Sequence, residues 1–180
     1  TLPKAEDSIK TETNIENSSI DSDSKGHDST SGNPPAIAVL PFSNISGDPE
    51  QEYFVDGITE DIILVISRYH WLSVIARNST FVYKGTAVDV REVARELKVD
   101  YVLEGSVRKA GPRVRITVQL IDSRSGSQIW SERYDRKLDD IFDLQDEITE
   151  TIAASIEPEL ARSERQRARR KTSDNLGAWD

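Results

Sequence analysis

The sequence predicts an α/β protein with an α+β mixed sheet of about five strands and helices on at least one face. Three observations predict it. A short apolar run at 36–42 precedes a stretch with apolar residues at helical spacing, as in a buried strand followed by a helix. A second strand and a second helix repeat that order. Three strand-like stretches with short turns then fill the second half, so the predicted order is β-α-β-α-β-β-β-α.

The first half is typical of parallel pairing. A helix is predicted after Asp48-Pro49, where an N-cap residue meets a proline at the first helical position. A second strand is predicted at 71–76, a loop at 77–87, and a short helix that Asp89 caps. Strands joined through helices cross over right-handed and pair in parallel.

The second half predicts an antiparallel meander over 101–109, 114–122 and 127–134. Its middle strand alternates apolar and polar residues, so one face is buried and the other is polar. A final helix is predicted from Asp140, and Pro158 is expected to end or kink it.

A single domain over 36–160 accounts for this pattern. Residues 1–35 are polar and lack apolar periodicity, which predicts a disordered linker. Residues 161–174 carry many Arg and Lys residues and are predicted to be a basic connector. Met is absent and no apolar run could span a bilayer, so we expect a piece of a longer protein whose membrane anchor lies elsewhere.

Composition restricts the chemistry. The formal net charge of −9 disfavours nucleic acid as a partner, because binding to phosphates needs an excess of Lys and Arg. Cysteine is absent, which excludes disulfides, thiolate metal sites and a cysteine nucleophile. No glycine-rich phosphate loop follows the first strand. We expect no catalytic residues, no metal and no cofactor.

The carboxyl ends of the first two strands predict a binding edge, because open α/β sheets place ligands there. The polar residues expected to meet at that edge, as candidates for binding a ligand or partner, are Asn44, Arg77, Asn78, Ser79 and Lys84. The alternative is structural, with Asn and Ser capping turns while nearby aromatic residues fill the core.

Two other functions stay open. A small enzyme acting at the loop from Arg77 to Lys84 would have to use Glu104, Asp56 or His70, although Glu104 is expected to form an ion pair with Arg108 or Arg115. A dimerisation module would pair through the polar face of the middle strand, whose members are Arg113, Arg115, Thr117 and Gln119.

Several runs of residues together resemble the TolB amino-terminal-like domain and the related FlgO-like domains. They are AVLPF at 38–42, SGDPEQEYFVDGITEDI at 46–62, ARNSTFVYKG at 76–85, YVLEGSVR at 101–108 and IWSERYDR at 129–136. The resemblance spans residues 36–157 and keeps the family's order.

This resemblance implies a place in bacterial multidomain regulators, where a class III adenylate/guanylate cyclase or a winged-helix domain often precedes a membrane span and this domain. It also implies that residues 175–180, with Trp179, begin a tetratricopeptide-repeat region. The expected function is a non-catalytic sensor or scaffold that binds a protein partner, a second copy or a small ligand. Its expected location is the periplasmic side of the inner membrane, with the cytoplasm as the alternative.

Overall fold

The computed structural model describes residues 32–178, so the predicted linker lies almost wholly outside the described residues, as does Trp179. The strands are β1 Ala36–Val39, β2 Ser43–Asn44, β3 Ser73–Val74, β4 Tyr101–Ala110, β5 Arg113–Asp122 and β6 Ser127–Lys137. The helices are α1 Glu52–Ile66, α2 Arg77–Thr80, α3 Val90–Leu97 and α4 Ile141–Gly177, with 3-10 turns at Pro49–Gln51 and Phe81–Tyr83.

The strands form one six-stranded mixed sheet in the order β3-β1-β4-β5-β6, with β2 pairing to β4 beyond the end of β1. The pairs β1–β3, β1–β4 and β2–β4 are parallel, whereas β4–β5 and β5–β6 are antiparallel. The predicted class is thereby confirmed, with a parallel first half, an antiparallel second half and the short β2 as an additional strand.

One face of the sheet is covered by α1 and α4. The alternation in β5 sends Val114, Ile116, Val118 and Leu120 to this face, and all four are at most 1% exposed. The apolar stripes of both helices pack on them and on the matching residues of β4. This helix-covered face is the main core of the domain, because burial of apolar side chains is the largest favourable contribution to folding.

The opposite face is covered only in part. The short helix α3 packs over β1 and the start of β4, in a second cluster of Ala38, Leu40, Val93, Ala94, Val99 and Val102. Asp89 caps α3 as predicted, with its carboxylate accepting from the backbone N–H of Arg91. The rest of this side, where β4, β5 and β6 run as a meander, carries polar residues, and we call it the open face.

Two local elements differ from what the sequence led us to expect. The predicted loop 77–87 begins with the single helical turn of α2 and a 3-10 turn. The last helix does not end at Pro158 but runs on to Gly177, so the predicted connector 161–174 is helical. Proline removes the N–H that would bond to the carbonyl of Ala154, and both residues lie on the exposed side of α4, where water can satisfy that carbonyl.

Within residues 32–178, no helix combines the length and apolar character needed to cross a bilayer.

Candidate functional site

A groove with a cavity volume of about 620 Å³ lies on the open face, beside the part that α3 covers. Its floor is made by β4 and β5. One wall is the segment around β2, and the other is the stretch Tyr83–Val88, which begins at the last residue of the second 3-10 turn. The two loops expected to meet at the end of the parallel strands therefore do flank one cavity.

Asn44 and Lys84 both line this groove, and Glu52 joins them. The Asn44 amide donates to Glu52 Oε1 at 3.0 Å and to the carbonyl of Asp48 at 2.8 Å. Lys84 Nζ lies 3.3 Å from Glu52 Oε2. One carboxylate at the start of α1 thus connects the two walls of the groove.

Lys84 Nζ lies closer to Asp56 Oδ2, at 2.5 Å, than to Glu52. Asp56 is one helical turn further along α1. The hydrogen bond to Asp56 is the main reason that the pKa of Lys84 lies above its ordinary value, against a smaller opposing effect of burial. Next to it, the hydroxyl of Tyr83 donates to Glu96 of α3, which raises the pKa of Tyr83. The Tyr83–Val88 wall is thus tied by polar contacts to a helix on each side.

The other three predicted binding residues lie away from the groove. Arg77 forms a 2.5 Å ion pair with Glu60 of α1 and lies over the ring of Phe81, 4.0 Å from its centroid. Asn78 and Ser79 are exposed in α2. The structure thus brings together two of the five candidates, and it gives Arg77 the role of attaching α2 to α1.

Glu104, Ser106, Thr117 and Gln119 form the polar floor of the groove. Glu104 accepts a hydrogen bond from the side chain of Gln119. The expectation that Glu104 pairs with Arg108 or Arg115 was wrong, since Arg115 instead bonds Asp135 on β6 at 2.7 Å. Cross-strand register explains the change, because Gln119 lies directly opposite Glu104.

The three side chains considered for acid or base chemistry do not converge. Glu104 lies on the groove floor and Asp56 is paired to Lys84, whereas His70 is exposed in the turn after the far end of α1. Within residues 32–178, no group of three or more His, Asp and Glu residues is placed to hold a metal ion.

Sequence reasoning did not single out Glu52 or Ser106, and it considered Glu104, Thr117 and Gln119 for other roles, although signals for this site are present. Glu52, Asp56 and Glu60 recur every four residues and therefore form one acidic stripe along α1. The floor residues occupy alternate positions of β4 and β5, on the side away from the apolar residues. What the sequence could not supply was the register that places the two polar rows side by side.

Comparison with known proteins gives a family match over residues 33–151, to the model described as "HilA/YgeH-like transcriptional regulator, second domain". The matching family model is therefore this one, and not the FlgO-like one that the motifs led us to expect.

Among curated proteins, the chain is 55% identical over 146 residues to "Putative adenylate cyclase 3" of Rhizobium meliloti (strain 1021). That alignment covers 81% of this chain and 25% of the relative. The chain thus spans about a quarter of the length of the curated relative that it matches.

Among solved structures, lipoprotein GNA1162 from Neisseria meningitidis overlaps with a TM-score of 0.51 at 22% identity, over 68% of this chain and 96% of that chain. TolB from Acinetobacter baumannii overlaps with a TM-score of 0.49 at 15% identity, over 71% of this chain and 29% of that chain. The first likeness supports the fold and carries no information about activity.

Proposed function

Residues 33–151 belong to the family of second domains of HilA/YgeH-like transcriptional regulators, and from that premise we propose that this domain is a non-catalytic binding module that regulates an output domain elsewhere in a larger signalling protein. The names of its relatives support this. The family description refers to transcription, whereas a 55% identical relative is named as a cyclase. A domain found with two different outputs contributes something that both can use, such as recognition of a ligand or partner.

The groove on the open face is the observation that carries the proposal. It has the size of a small-molecule site, which commonly spans roughly 300–1,000 Å³. Its polar groups are already engaged with one another, as in the contact of Lys84 with Asp56 and Glu52. Groups arranged in this way offer hydrogen bonds for recognition rather than a free nucleophile or base.

The wall contacts suggest how binding would be transmitted. Asn44, Glu52 and Lys84 form a chain of polar contacts across the groove, and Glu52 is the first residue of α1. A ligand or a protein segment entering between the walls would compete for these contacts. The effect would then reach α1, which packs in the main core against α4.

The experiment replaces the matching region of the R. meliloti relative with residues 33–178 of this chain and measures cyclic AMP formation. Lys84→Glu places a third carboxylate beside Glu52 and Asp56 and so breaks the wall contacts. Arg95→Glu, on the exposed side of α3, makes the same change of charge outside the groove. We expect the first variant to change the cyclase rate several-fold and the second to leave it unchanged.

Equal rates for the two chimaeras would contradict the regulatory proposal. Formation of cyclic AMP by this chain alone would contradict its non-catalytic part. Unfolding curves of both variants are needed alongside, so that loss of the fold is not mistaken for loss of regulation.

A small enzyme acting at the same groove is the second candidate, and one observation favours it. Glu52, Lys84 and Glu104 are three ionisable residues lining one cavity. A screen of small molecules for binding to residues 33–178 would supply a ligand. Incubating that ligand with the chain and analysing it by mass spectrometry separates the two functions. Unchanged recovery supports a binding module, and conversion supports an enzyme.

The periplasmic side of the inner membrane remains our proposed location, with the cytoplasm as the alternative. Fusion of alkaline phosphatase to the corresponding region of the R. meliloti relative tests it, because this reporter is active only outside the cytoplasm.

A further inference from the structure

Strand β6 forms a long edge of the sheet. Ten of its eleven residues, Ser127–Lys137, pair with β5 on one side, with Ile129 skipped at a bulge, and the strand order places β6 last. Along residues 32–178, nothing pairs with its outer side. A free edge of this length presents a row of backbone donors and acceptors that can pair with another strand, and proteins usually protect such an edge.

The charged residues of β6 are arranged differently from those of an edge that is protected against pairing. Residues 132–136 read Glu-Arg-Tyr-Asp-Arg, so residues at equal distances on either side of Tyr134 have opposite charge. Many free edges are protected by charged side chains, especially lysines, and a run of charges of one sign would repel an approaching copy. Here an antiparallel copy centred on Tyr134 would meet opposite charges instead.

The faces of the sheet are compatible with such pairing. Arg133 and Asp135 lie opposite Thr117 and Arg115 of β5, on the open face. Glu132 and Arg136 lie opposite Val118 and Val114, on the helix-covered face. A two-fold axis perpendicular to the sheet leaves the open faces of both copies on one side of the continuous sheet and the helix-covered faces on the other. Arg133 would therefore lie across from Asp135 of the second copy, and Glu132 across from Arg136.

Other centres lack this complementarity. An axis at Arg133 places the two copies of that arginine opposite each other. An axis at Glu132 or at Asp135 likewise places two copies of a carboxylate opposite each other. The axis at Asp135 also places Arg133 opposite Lys137. Like charges directly opposite each other in a sheet are destabilising, so electrostatics selects Tyr134 among the neighbouring registers.

Within one copy, one residue of each proposed intermolecular pair already forms a salt bridge and the other does not. Asp135 is held by Arg115 at 2.7 Å, and Arg136 by Glu147 of α4 at 3.1 Å. Arg133 and Glu132 are exposed, and neither forms a salt bridge in the part of the chain that the structure describes. Across the axis, the free Arg133 would join the Arg115–Asp135 pair, and the free Glu132 would join the Arg136–Glu147 pair.

We propose that β6 pairs with β6 of a second copy of this chain, antiparallel and with the two-fold axis at Tyr134, so that the sheet continues across a dimer. The overlap runs from Ser131 opposite Lys137 to Lys137 opposite Ser131. This proposal does not rest on the groove, and it differs from pairing through the open face. Two open faces in contact would bring Arg108, Arg113 and Arg115 of one copy toward the same cations of the other.

The test measures self-association of the full chain by analytical ultracentrifugation. Arg133→Glu leaves only carboxylates at the 133–135 pairs of its homodimer, and Asp135→Arg leaves only arginines. We expect each single variant to raise the dimer dissociation constant at least tenfold. An equimolar mixture restores both opposite-charge pairs, so it should associate about as tightly as the unmodified chain.

Arg95→Glu is the charge-matched control, since it reverses an exposed positive charge on α3, which packs over β1 and β4 and lies away from the β6 edge. It should leave association unchanged. The chain has no cysteine, so the register can be examined directly with introduced thiols. Ser131→Cys mixed with Lys137→Cys should form a disulfide-linked heterodimer under mild oxidation, in much higher yield than either variant alone.

A chain that remains monomeric at high micromolar concentration overturns the proposal. So does an association that both single variants leave intact, or a mixture that fails to restore it. Association only with an added extended peptide, and not with a second copy, would assign the edge to a different partner and would also overturn it.

Discussion

Two neighbouring residues of β5 show how differently the two faces of the sheet are used. Ile116 is fully buried beneath α1 and α4, whereas Thr117 is exposed on the open face at the floor of the groove. The alternation is clean in β5, whereas β4 begins with three buried residues because α3 covers the other face there. Along β5, one side of the sheet therefore contributes to stability and the other presents polar groups. A substitution on the open face should therefore be tolerated better than one at the next residue of the strand, which packs in the core.

The largest expected difference between the faces comes from truncating these two side chains. Ile116→Ala should lower the free energy of unfolding by roughly 2–5 kcal/mol, because it removes a buried side chain and leaves a cavity. Thr117→Ala should change it by less than about 0.5 kcal/mol. Denaturant unfolding curves measure both. Similar losses for the two variants would show that the open face is covered in solution.

The second comparison concerns two glycines. A Cβ at Gly105 of β4 would lie 2.6 Å from the ring of Phe42 and 2.7 Å from the carbonyl oxygen of Thr117, neither of which can move freely. Gly105→Ala should cost about 1–3 kcal/mol of stability through overpacking.

Gly57 of α1 is the matched case, because a Cβ there meets only the flexible end of Gln145. Gly57→Ala should be close to neutral, since the gain of up to about 1 kcal/mol in helix propensity offsets the displacement of Gln145. A large loss at Gly57, measured in the same unfolding experiment, would mean that the hydrogen bond from Gln145 to Asp61 is structurally important.

A smaller effect is expected from the like charges of the open face. Arg108 lies directly opposite Arg115, and Arg113 lies opposite Lys137. Arg108→Glu converts the first pair into an attractive one and should stabilise the fold by roughly 0.2–1 kcal/mol at low salt. The gain should shrink as salt is added. Destabilisation, or a gain that salt does not reduce, would contradict this account of the face.

The smallest effect is confined to alkaline pH and concerns Tyr101, at the start of β4 beneath α4. Its hydroxyl contacts Ser163 and Glu164, and its burial raises its pKa to about 12. Above pH 10 the unfolded chain releases this proton before the folded chain does. Stability should therefore fall as pH rises from about 10 to about 12. Tyr101→Phe should show a shallower fall, and an identical slope would exclude Tyr101 as its source.

The comparison of faces also explains what the sequence could and could not predict. The alternation of β5 was sufficient to predict the meander and its buried face, because a period of two leaves little choice. The β3 strand was predicted over 71–76, yet only Ser73–Val74 pairs. The helical turn at Arg77–Thr80 consists of residues that usually favour turns, and it is held by the ion pair of Arg77 with Glu60. That contact between distant residues has no local signal.

The candidate site was predictable to a similar extent. Parallel strands ending at one edge were enough to bring Asn44 and the Lys84 loop to one groove. Arg77, Asn78 and Ser79 were expected at the same edge, but the α2 turn places that stretch away from the groove. Glu52 was missed, since a carboxylate in a first helical turn usually serves the helix dipole alone.

Arg167 of helix α4 pairs with Asp100 at 3.5 Å, and beyond it the helix continues to Gly177 with every residue exposed. At about 1.5 Å per residue, this exposed part is a rod of roughly 15 Å. Removing one residue from it would leave the core untouched, yet it would rotate Gly177 by about 100° around the helix axis and draw it in by about 1.5 Å. The direction in which the chain leaves the domain is therefore set by how many residues the rod contains rather than by which residues they are.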